Sequence, residues 1–259
     1  MKICTFNVNS IRVRKDLIMD WLDHRGDDID VLCFQEIKVI DELFPAEDFR
    51  ARGFEPFVLG QKGYAGVAIC SRLPVERYER GMDDEFWDEQ KRVLSVSLPG
   101  ITLINVYAPH GGARGEDKFE YKIDWYRRFI SYLQERHDPG DNLIVTGDFN
   151  VTRGDRDVYS ADALADVIGT MPEEREVFSR LLSWGLTDLQ RHLHPESRHF
   201  TWWAYMGGAV WKDEGMRIDY VLATRALVDK VLTIEVDTWT RKRRRPTPSD
   251  HAPLVVEVE

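Results

Sequence analysis

Several apolar runs in this sequence end in polar side chains whose types could do chemistry. Asn7 and Asn9 end one such run, and Asp148 and Asn150 end another. Because side chains alternate along a strand, the two members of each pair face the same way. Buried polar groups are costly without partners, so these pairs predict oxygen ligands or hydrogen-bond donors aimed at a common space. The alternative is that they are turn residues bonded to their own backbone.

A carboxylate directly follows another apolar run. Glu36 comes after the five residues from Val31 to Gln35, which are apolar enough for a central strand. A bound cation would explain a charge in this place, because Mg²⁺ takes oxygen ligands, keeps several waters and needs only one or two carboxylates. The alternative is an ordinary surface glutamate at a strand end.

An acid and an imidazole stand side by side near the carboxyl end. Asp250 and His251 lie between Pro248 and Pro253, which stiffen the turn at the entrance of an apolar run. Histidine can bind or transfer a proton near neutral pH, and a nearby carboxylate stabilises its charged form. Asp219 sits inside an apolar run where an unpaired carboxylate would be penalised, so we expect it to partner this imidazole.

Other catalytic motifs are absent from the sequence. It has no Gly-x-x-x-x-Gly-Lys loop, no Gly-x-Ser-x-Gly elbow and no Cys-x-x-Cys pair. Cys4, Cys33 and Cys70 lie in apolar runs without metal-ligand spacing, which predicts buried free thiols. What is left is oxygen-ligand metal chemistry. It suits hydrolysis of a phosphoester, where a metal offsets developing negative charge and a carboxylate activates water.

The elements that must position these groups are mostly strands. Strands outnumber helices, and several connections are too short for a crossover helix, so we expect two packed, mainly antiparallel sheets with helices outside. Apolar runs bounded by turn residues predict strands at 2–8, 31–35, 66–71, 92–98, 101–107, 142–147, 200–204, 217–223, 231–236 and 253–258. Helical spacing predicts helices at 13–22, 119–133 and 172–182.

Length and composition favour one domain over residues 1–259. Hydrophobic residues make up 43% of the chain and eight are tryptophan, enough for a large core. The sequence has no Pro/Gly/Ser linker and no low-complexity tract. Residues 7–9 and residues 148–150 are weakly similar to each other, which suggests that two similar halves of the chain meet at one site.

The net charge of −10 argues against nucleic acid as a partner, since its backbone favours basic proteins. Overall charge is a poor guide to a local face, however, and the basic run at 241–245 could supply a positive potential beside the acidic site. The alternative is a solvated loop. The amino-terminal residues lack the apolar region of a signal peptide and no run is long enough to span a bilayer, so we expect a cytoplasmic protein without a membrane partner.

Ten short motifs, in order along the full chain, together resemble the exonuclease III and abasic-endonuclease family, within the endonuclease/exonuclease/phosphatase superfamily that includes deoxyribonuclease I. They occur at 7–12 (NVNSIR), 35–38 (QEIK), 63–68 (GYAGVA), 105–109 (NVYAP), 147–150 (GDFN), 172–175 (PEER), 183–186 (SWGL), 200–203 (FTWW), 217–220 (RIDY) and 248–253 (PSDHAP). The resemblance implies an α+β fold, a four-layer α/β sandwich with its site at one end of the two sheets.

The resemblance also implies roles for individual residues. Glu36 and Asp250 match the principal ligands of Mg²⁺, for which Mn²⁺ could substitute. Asn9 matches a residue that either contacts these ligands or binds a second metal ion. Asp148 matches the residue that activates water or protonates the leaving oxygen, and Asn150 the one that holds the phosphate or the water. The expected metal-site residues are Asn7, Glu36, Asp148, Asn150, Asp250 and His251. The expected catalytic residues are Tyr107, Asp148, Asn150, Asp219 and His251, with Tyr107 as a phenolic donor and His251 on a phosphate oxygen.

The implied reaction is in-line attack of water on the phosphorus 5′ to an abasic site, which leaves a 3′-hydroxyl and a 5′-deoxyribose phosphate. Action on 3′ ends as an exonuclease or phosphodiesterase is implied as well. The implied partner is double-stranded DNA, bound by a monomer. The expected substrate-binding residues are Trp202, Met216, Arg217 and Ile218, of which Trp202, Met216 and Ile218 would wall a pocket for the flipped-out sugar. The alternative for these three is ordinary core packing.

Two features depart from the family pattern. His110 stands where relatives often carry Asn or Gln near the phosphate, and the stretch at 153–171 is short and does not align. Both bear on the balance of endonuclease, exonuclease and phosphodiesterase activities.

Two other functions are compatible with the same fold. One is a phosphatase or sphingomyelinase acting on small or lipid phosphoesters with the same machinery, against which the 202–203 and 217–220 motifs argue. The other is an inactive nucleic-acid-binding regulator, which would not need to keep the acidic residues and His251 together.

Overall fold

The computed structural model describes residues 1–25 and 28–259. The strands are β1 (Lys2–Asn7), β2 (Val31–Gln35), β3 (Glu55–Leu59), β4 (Val67–Ser71), β5 (Arg77–Arg80), β6 (Val93–Leu98), β7 (Ile101–Tyr107), β8 (Leu143–Asp148), β9 (Leu186–Asp188), β10 (Trp202–Trp203), β11 (Gly215–Met216), β12 (Asp219–Thr224), β13 (Val231–Val236) and β14 (Leu254–Val258). The helices are α1 (Ile11–His24), α2 (Ala46–Arg50), α3 (Glu85–Asp88), α4 (Asp117–Arg136), α5 (Pro172–Ser183), α6 (Leu189–Leu193), α7 (Ala209–Lys212) and α8 (Arg225–Val228).

Two six-stranded sheets form the centre of the fold. Their strand orders are β13-β14-β1-β2-β4-β3 and β5-β6-β7-β8-β12-β9. One apolar cluster, which includes Ile3, Val31, Leu103 and Val221, joins the facing sides of the two sheets. A second cluster packs α4 and α5 on the outside of one sheet, and a third packs α1 and α2 on the outside of the other. The predicted four-layer α/β sandwich is therefore confirmed.

Each sheet contains one parallel pair among antiparallel neighbours. β1 pairs with β2 in parallel across α1, and β7 pairs with β8 in parallel across α4. On its other side, β1 pairs with β14, and in the second sheet β8 pairs with β12. Both of these pairs are antiparallel. The carboxyl ends of β1, β2, β7 and β8 and the amino ends of β12 and β14 therefore meet at one end of the sandwich. The similarity between residues 7–9 and residues 148–150 suggested this arrangement.

The helices that flank this end follow from amphipathic spacing and from their terminal residues. α4 buries a stripe that includes Phe119, Trp125 and Phe129. α5 begins at Pro172, and Glu174 reaches back to its first turn in a capping box. Among the described residues, none of the helices has the length and apolarity needed to cross a membrane.

The sequence predicted the edge strand β13 but missed the other three strands that lie at the edges of the two large sheets. β3, β5 and β9 are all terminal strands of their sheets. β5 is largely exposed and β3 is half-buried and contains Pro56, so neither forms an apolar run. The predicted strand at 200–204 shortens to β10, and the one at 217–223 begins at Asp219. Cys4, Cys33 and Cys70 are buried free thiols, as predicted.

Candidate active site

The predicted polar residues converge at the end of the sandwich where the two parallel pairs stop. Asn7, Tyr107 and Asp148 are the last residues of β1, β7 and β8, and Glu36 follows β2 directly. Asp219 opens β12 opposite Asp148 in the antiparallel register. Asp250 and His251 lie just before β14, whose first residues pair with β1.

Asn7 joins the two halves of the site. Its amide nitrogen donates to Glu36 Oε1 at 3.0 Å and to Asp148 Oδ2 at 2.8 Å, and the residue is fully buried. Its amide oxygen accepts the backbone N–H of Asn9 at 3.0 Å. Asn7 therefore orients two carboxylates with its nitrogen, while one lone pair of its oxygen accepts the hydrogen bond of the turn.

Three of the site residues singled out in the sequence, none of them glycine, have left-handed backbones. The φ angles of Asn9, Glu36 and Asn150 are 44°, 50° and 50°. Such a conformation costs about 1–3 kcal/mol for a residue with a side chain and persists only where surrounding contacts impose it. The contacts are visible here, since the carbonyl of Glu36 accepts the N–H of Ser10 at 2.7 Å. These turns re-aim the side chains out of the sheets and toward one another.

His251 lies between two carboxylates. Its Nδ1 is 2.8 Å from Asp219 Oδ2, and its Nε2 is 3.8 Å from Asp148 Oδ2. Burial opposes the charged imidazole, but the charges of Asp219 and Asp148 outweigh it and raise the pKa of His251 to about 10. Burial and the charge of Asp219 raise the pKa of Asp148 above its ordinary value, against the opposing charge of His251. The imidazole is thus protonated near neutral pH.

A first prediction concerns this imidazole. Because its pKa is higher in the folded than in the unfolded chain, its protonation stabilises the fold fully below about pH 6.5, and that contribution is lost as the pH rises toward about 10. In excess EDTA, nitrogen NMR of His251 should show an imidazolium at neutral pH, and Asp219→Asn should lower its pKa. A neutral His251 in the wild-type protein at neutral pH would contradict the assignment.

Glu36 lies where a cation would be stabilised. Lys38 Nζ is 2.8 Å from Glu36 Oε2 and donates to Asn9 Oδ1 at 2.6 Å, so an ammonium ion occupies part of this space. Burial opposes ionisation of Glu36, but hydrogen bonds from Asn7 and Lys38 lower its pKa below the ordinary value. An ionised carboxylate and an amide oxygen that already hold one cation have the donor chemistry that a hard divalent ion prefers.

Asp250 is held on the other side of Asn9. It accepts Asn9 Nδ2 at 3.1 Å and Trp202 Nε1 at 3.0 Å. Burial opposes its charge, but the charge of His251 and these two hydrogen bonds lower the pKa of Asp250. Asp250 therefore stays ionised beside the pocket.

Two sets of groups in the described residues could hold a metal ion. Asp148, Asp219 and His251 bring ligand atoms within 4.8 Å of one another. In this group, however, His251 Nδ1 is already paired with Asp219 Oδ2 at 2.8 Å. Glu36 and Asp250 are ionised, carry oxygen ligands and line the pocket, so they fit a hard divalent ion better.

A cavity of about 330 Å³ opens beside these groups. One wall is apolar and includes Trp202, Met216 and Ile218, while the other side presents charged and polar groups. Its lining residues are Glu36, His110, Asn150, Val167, Ile168, Gly169, Trp202, Met216, Ile218, Asp250 and His251. Sequence reasoning missed the wall at 167–169, because it belongs to the stretch that did not align.

Tyr107 and Arg217 lie outside the lining of this cavity. The Tyr107 hydroxyl contacts Glu36, and burial together with the charges of Glu36 and Asp148 raises its pKa, so it keeps its proton. The Arg217 guanidinium is only 1% exposed and binds Asp157 and Asp188 at 2.8 to 3.0 Å. With its donors taken by two carboxylates, Arg217 braces the fold, and the structure does not support the expected substrate contact.

A larger cavity of about 580 Å³ lies elsewhere, along the outer strands β5 and β6. Its lining mixes Glu79, Arg136 and Asp141 with main chain and hydroxyl groups. It contains none of the strand-end groups described above, so size alone does not identify the reactive site.

Comparisons with known proteins agree with this geometry. Residues 4–251 match the model of the Endonuclease/Exonuclease/phosphatase family. The chain is 32% identical to exodeoxyribonuclease III of Haemophilus influenzae over 99% of each sequence. It superposes on an AP endonuclease from Archaeoglobus fulgidus with a TM-score of 0.95 and 35% identity, covering 100% of this chain and 99% of the other. It also superposes on the 3′ phosphatase NExo from Neisseria bound to a product DNA hairpin, with a TM-score of 0.92, 36% identity and the same coverage.

Proposed function

The chain belongs to the exonuclease III and abasic-endonuclease group of the endonuclease/exonuclease/phosphatase family, and from that membership we propose that it hydrolyses the phosphodiester 5′ to an abasic site in DNA. The proposal includes action on 3′ ends and dependence on Mg²⁺ or Mn²⁺. The observation that carries it is the meeting of Glu36, Asp148 and His251 beside an apolar pocket. A cytoplasmic location, a monomeric chain and duplex DNA as the partner belong to the same proposal.

Asp148 and His251 would act on the phosphate from one side. A carboxylate whose pKa is raised is a stronger base, so Asp148 accepts a proton from the attacking water as the new bond to phosphorus forms. The bond to the 3′-oxygen breaks, that oxygen takes a proton from solvent water, and Asp148 returns its proton to the solvent. The His251 imidazolium donates to a non-bridging phosphate oxygen, where negative charge develops.

Glu36 and Asp250 would hold the metal ion, which supplies charge neutralisation at the phosphate and the leaving oxygen when bound. Asn7 keeps Glu36 and Asp148 at fixed positions through its two hydrogen bonds. Tyr107, which keeps its proton, is placed to donate near Glu36. Asn150 lines the cavity and orients the phosphate or the water.

The apolar wall would select the abasic sugar. Met216 and Ile218 are each 7% exposed and pack with Val158 next to Trp202. A narrow apolar pocket accepts a sugar without a base and excludes an intact nucleotide by size.

Filling this pocket should separate two activities. Ile218→Trp is expected to lower kcat/KM for abasic-site incision about 100-fold, because the flipped sugar loses its space, while removal of a 3′-terminal phosphate falls less. Steady-state assays on both substrates test this. Leu232→Trp, at an exposed position on β13, is the matched control. Equal losses on the two substrates would argue against a pocket for the sugar.

The function itself is tested with end-labelled duplex DNA that holds one abasic site, incubated with Mg²⁺ or with excess EDTA. Sphingomyelin and inositol phosphates are assayed in parallel. We expect incision of the abasic strand only with the metal. Preferred turnover of the small or lipid phosphoesters would favour the phosphatase alternative, and binding of DNA without incision would favour an inactive regulator.

A further inference from the structure

The turn at 148–151, which carries Asp148 and Asn150, is held from behind by buried side chains. The carbonyls of its last three residues each accept a hydrogen bond from a side chain of the core. The donors to Phe149, Asn150 and Val151 are, in that order, Tyr126 Oη, Lys122 Nζ at 2.6 Å and Tyr220 Oη at 2.9 Å. The turn is therefore fixed through its backbone as well as through its side chains.

Two of these donors come from one face of α4. Lys122 and Tyr126 are four residues apart, so they project side by side from successive turns of the helix. Both are fully buried. The left-handed backbone of Asn150 needs outside contacts to persist, and Lys122 supplies one directly at its carbonyl.

Lys122 also links the turn to the wall of the pocket. Its Nζ donates to Glu174 Oε1 at 2.6 Å and to the carbonyl of His110 at 3.1 Å. The second oxygen of Glu174 accepts the N–H groups of Gly169 at 2.7 Å and Met171 at 3.1 Å. One buried ion pair thus ties together three segments that line or carry the site, at 110, 150 and 169–171.

Stability alone does not explain this pair. Both side chains are 0% exposed, and a buried ion pair is often no more stable than apolar residues of similar volume. The ammonium has three donors, and all three are used on acceptors in these segments. Burial of the ammonium ion is unfavourable, but its three hydrogen bonds fix the positions of the groups that it contacts.

We propose that Lys122, Tyr126 and Glu174 are positioning residues of the nuclease reaction, which hold the 148–151 turn and the 169–171 wall in the geometry that the chemistry requires. The inference rests on the proposed function. None of the three touches the cavity; they act through the backbone of residues that do. Displacement of a reacting group by about 1 Å costs on the order of 100-fold in rate, so removal of these contacts should appear in kcat.

The cleanest test removes one hydroxyl. Tyr126→Phe keeps the ring in the core and deletes only the donor to Phe149. We expect kcat for abasic-site incision to fall about tenfold with little change in KM, because the turn shifts while the pocket wall stays. Tyr132→Phe is the matched control, since Tyr132 is also buried on α4 but packs against Phe129 away from the turn. It should retain wild-type kcat.

Two variants of the Lys122–Glu174 ion pair distinguish a positioning role from a contribution to stability. Lys122→Met leaves Glu174 buried without its partner, so both stability and activity should fall. In the double variant Lys122→Met/Glu174→Gln both charges are gone, and the denaturation midpoint should return toward the wild-type value. The kcat should nevertheless stay about 100-fold low, because the carbonyl of Asn150 still lacks its donor. A purely structural role predicts that the midpoint and kcat recover together.

Hydrogen exchange provides a readout that does not depend on activity. Backbone amides at 149–152 should exchange faster in Tyr126→Phe than in Tyr132→Phe. Wild-type protein that fails to incise abasic DNA would overturn the proposed function, whatever the exchange rates. Active wild-type protein with unchanged kcat and unchanged exchange in Tyr126→Phe would overturn only the positioning role.

Discussion

Replacement of Glu36 by glutamine is expected to lower kcat for abasic-site incision about 1,000-fold and to raise the Mg²⁺ concentration needed for half-maximal rate. The glutamine side chain keeps the acceptor that binds Asn7 but loses the charge that favours a divalent ion. Metal-dependent incision at a series of Mg²⁺ concentrations measures both effects. Calorimetric titration with Mn²⁺ reports loss of metal binding independently of turnover.

Glu42→Gln is the matched control for this experiment, because Glu42 is an exposed glutamate in the next segment of the chain. It should leave both kcat and the metal requirement unchanged. Undiminished activity of Glu36→Gln, or an unaltered requirement for Mg²⁺, would place the metal elsewhere. The compact group of Asp148, Asp219 and His251 would then be the next candidate.

Replacement of Asp148 by asparagine is expected to lower kcat about 1,000-fold while the protein becomes more stable near neutral pH. The side chain is fully buried, and burial with the charge of Asp219 raises its pKa. A raised carboxyl pKa means that the ionised form destabilises the fold above the pKa of the unfolded chain. A neutral amide removes that penalty and also removes the base.

The two effects of Asp148→Asn are measured separately, by single-turnover incision and by the denaturation midpoint in excess EDTA. In the wild-type protein the rate should fall on acidification, because the base must be deprotonated to accept the proton from water. Asp166→Asn, at an exposed position near the pocket wall, should change neither quantity. Loss of activity accompanied by loss of stability would indicate instead that Asp148 mainly supports the fold.

The sequence predicts this site well where polar residues interrupt apolar strands. Asn7, Asp148 and Asp219 stand out because an unpaired polar group in a buried strand is penalised, and the structure brings all three together. The expected pairing of Asp219 with His251 is present as a contact of 2.8 Å. Strands in the interior of the sheets are predictable because burial on both faces produces apolar runs.

Other features depend on tertiary contacts that local patterns do not encode. Lys38 contacts Glu36 and Asn9 from a turn in which Glu36 and Lys38 both have left-handed backbones. In the sequence, Lys122 is one charged residue of an amphipathic helix. Only the folded structure shows that it is buried in an ion pair with Glu174. Arg217 belongs to a motif beside the pocket, yet its side chain turns to two buried carboxylates.

The central claim is that water, activated in this site, attacks the phosphorus 5′ to the abasic sugar. It is tested most directly by incision of abasic duplex DNA with Mg²⁺ in water enriched in oxygen-18, followed by mass spectrometry of both fragments. Hydrolysis predicts one heavy oxygen on the 5′-phosphate group, apart from any that the sugar aldehyde exchanges with water, and an unlabelled 3′-hydroxyl on the other fragment. An unlabelled 5′-phosphate, or a fragment that ends in an unsaturated sugar, would contradict the claim.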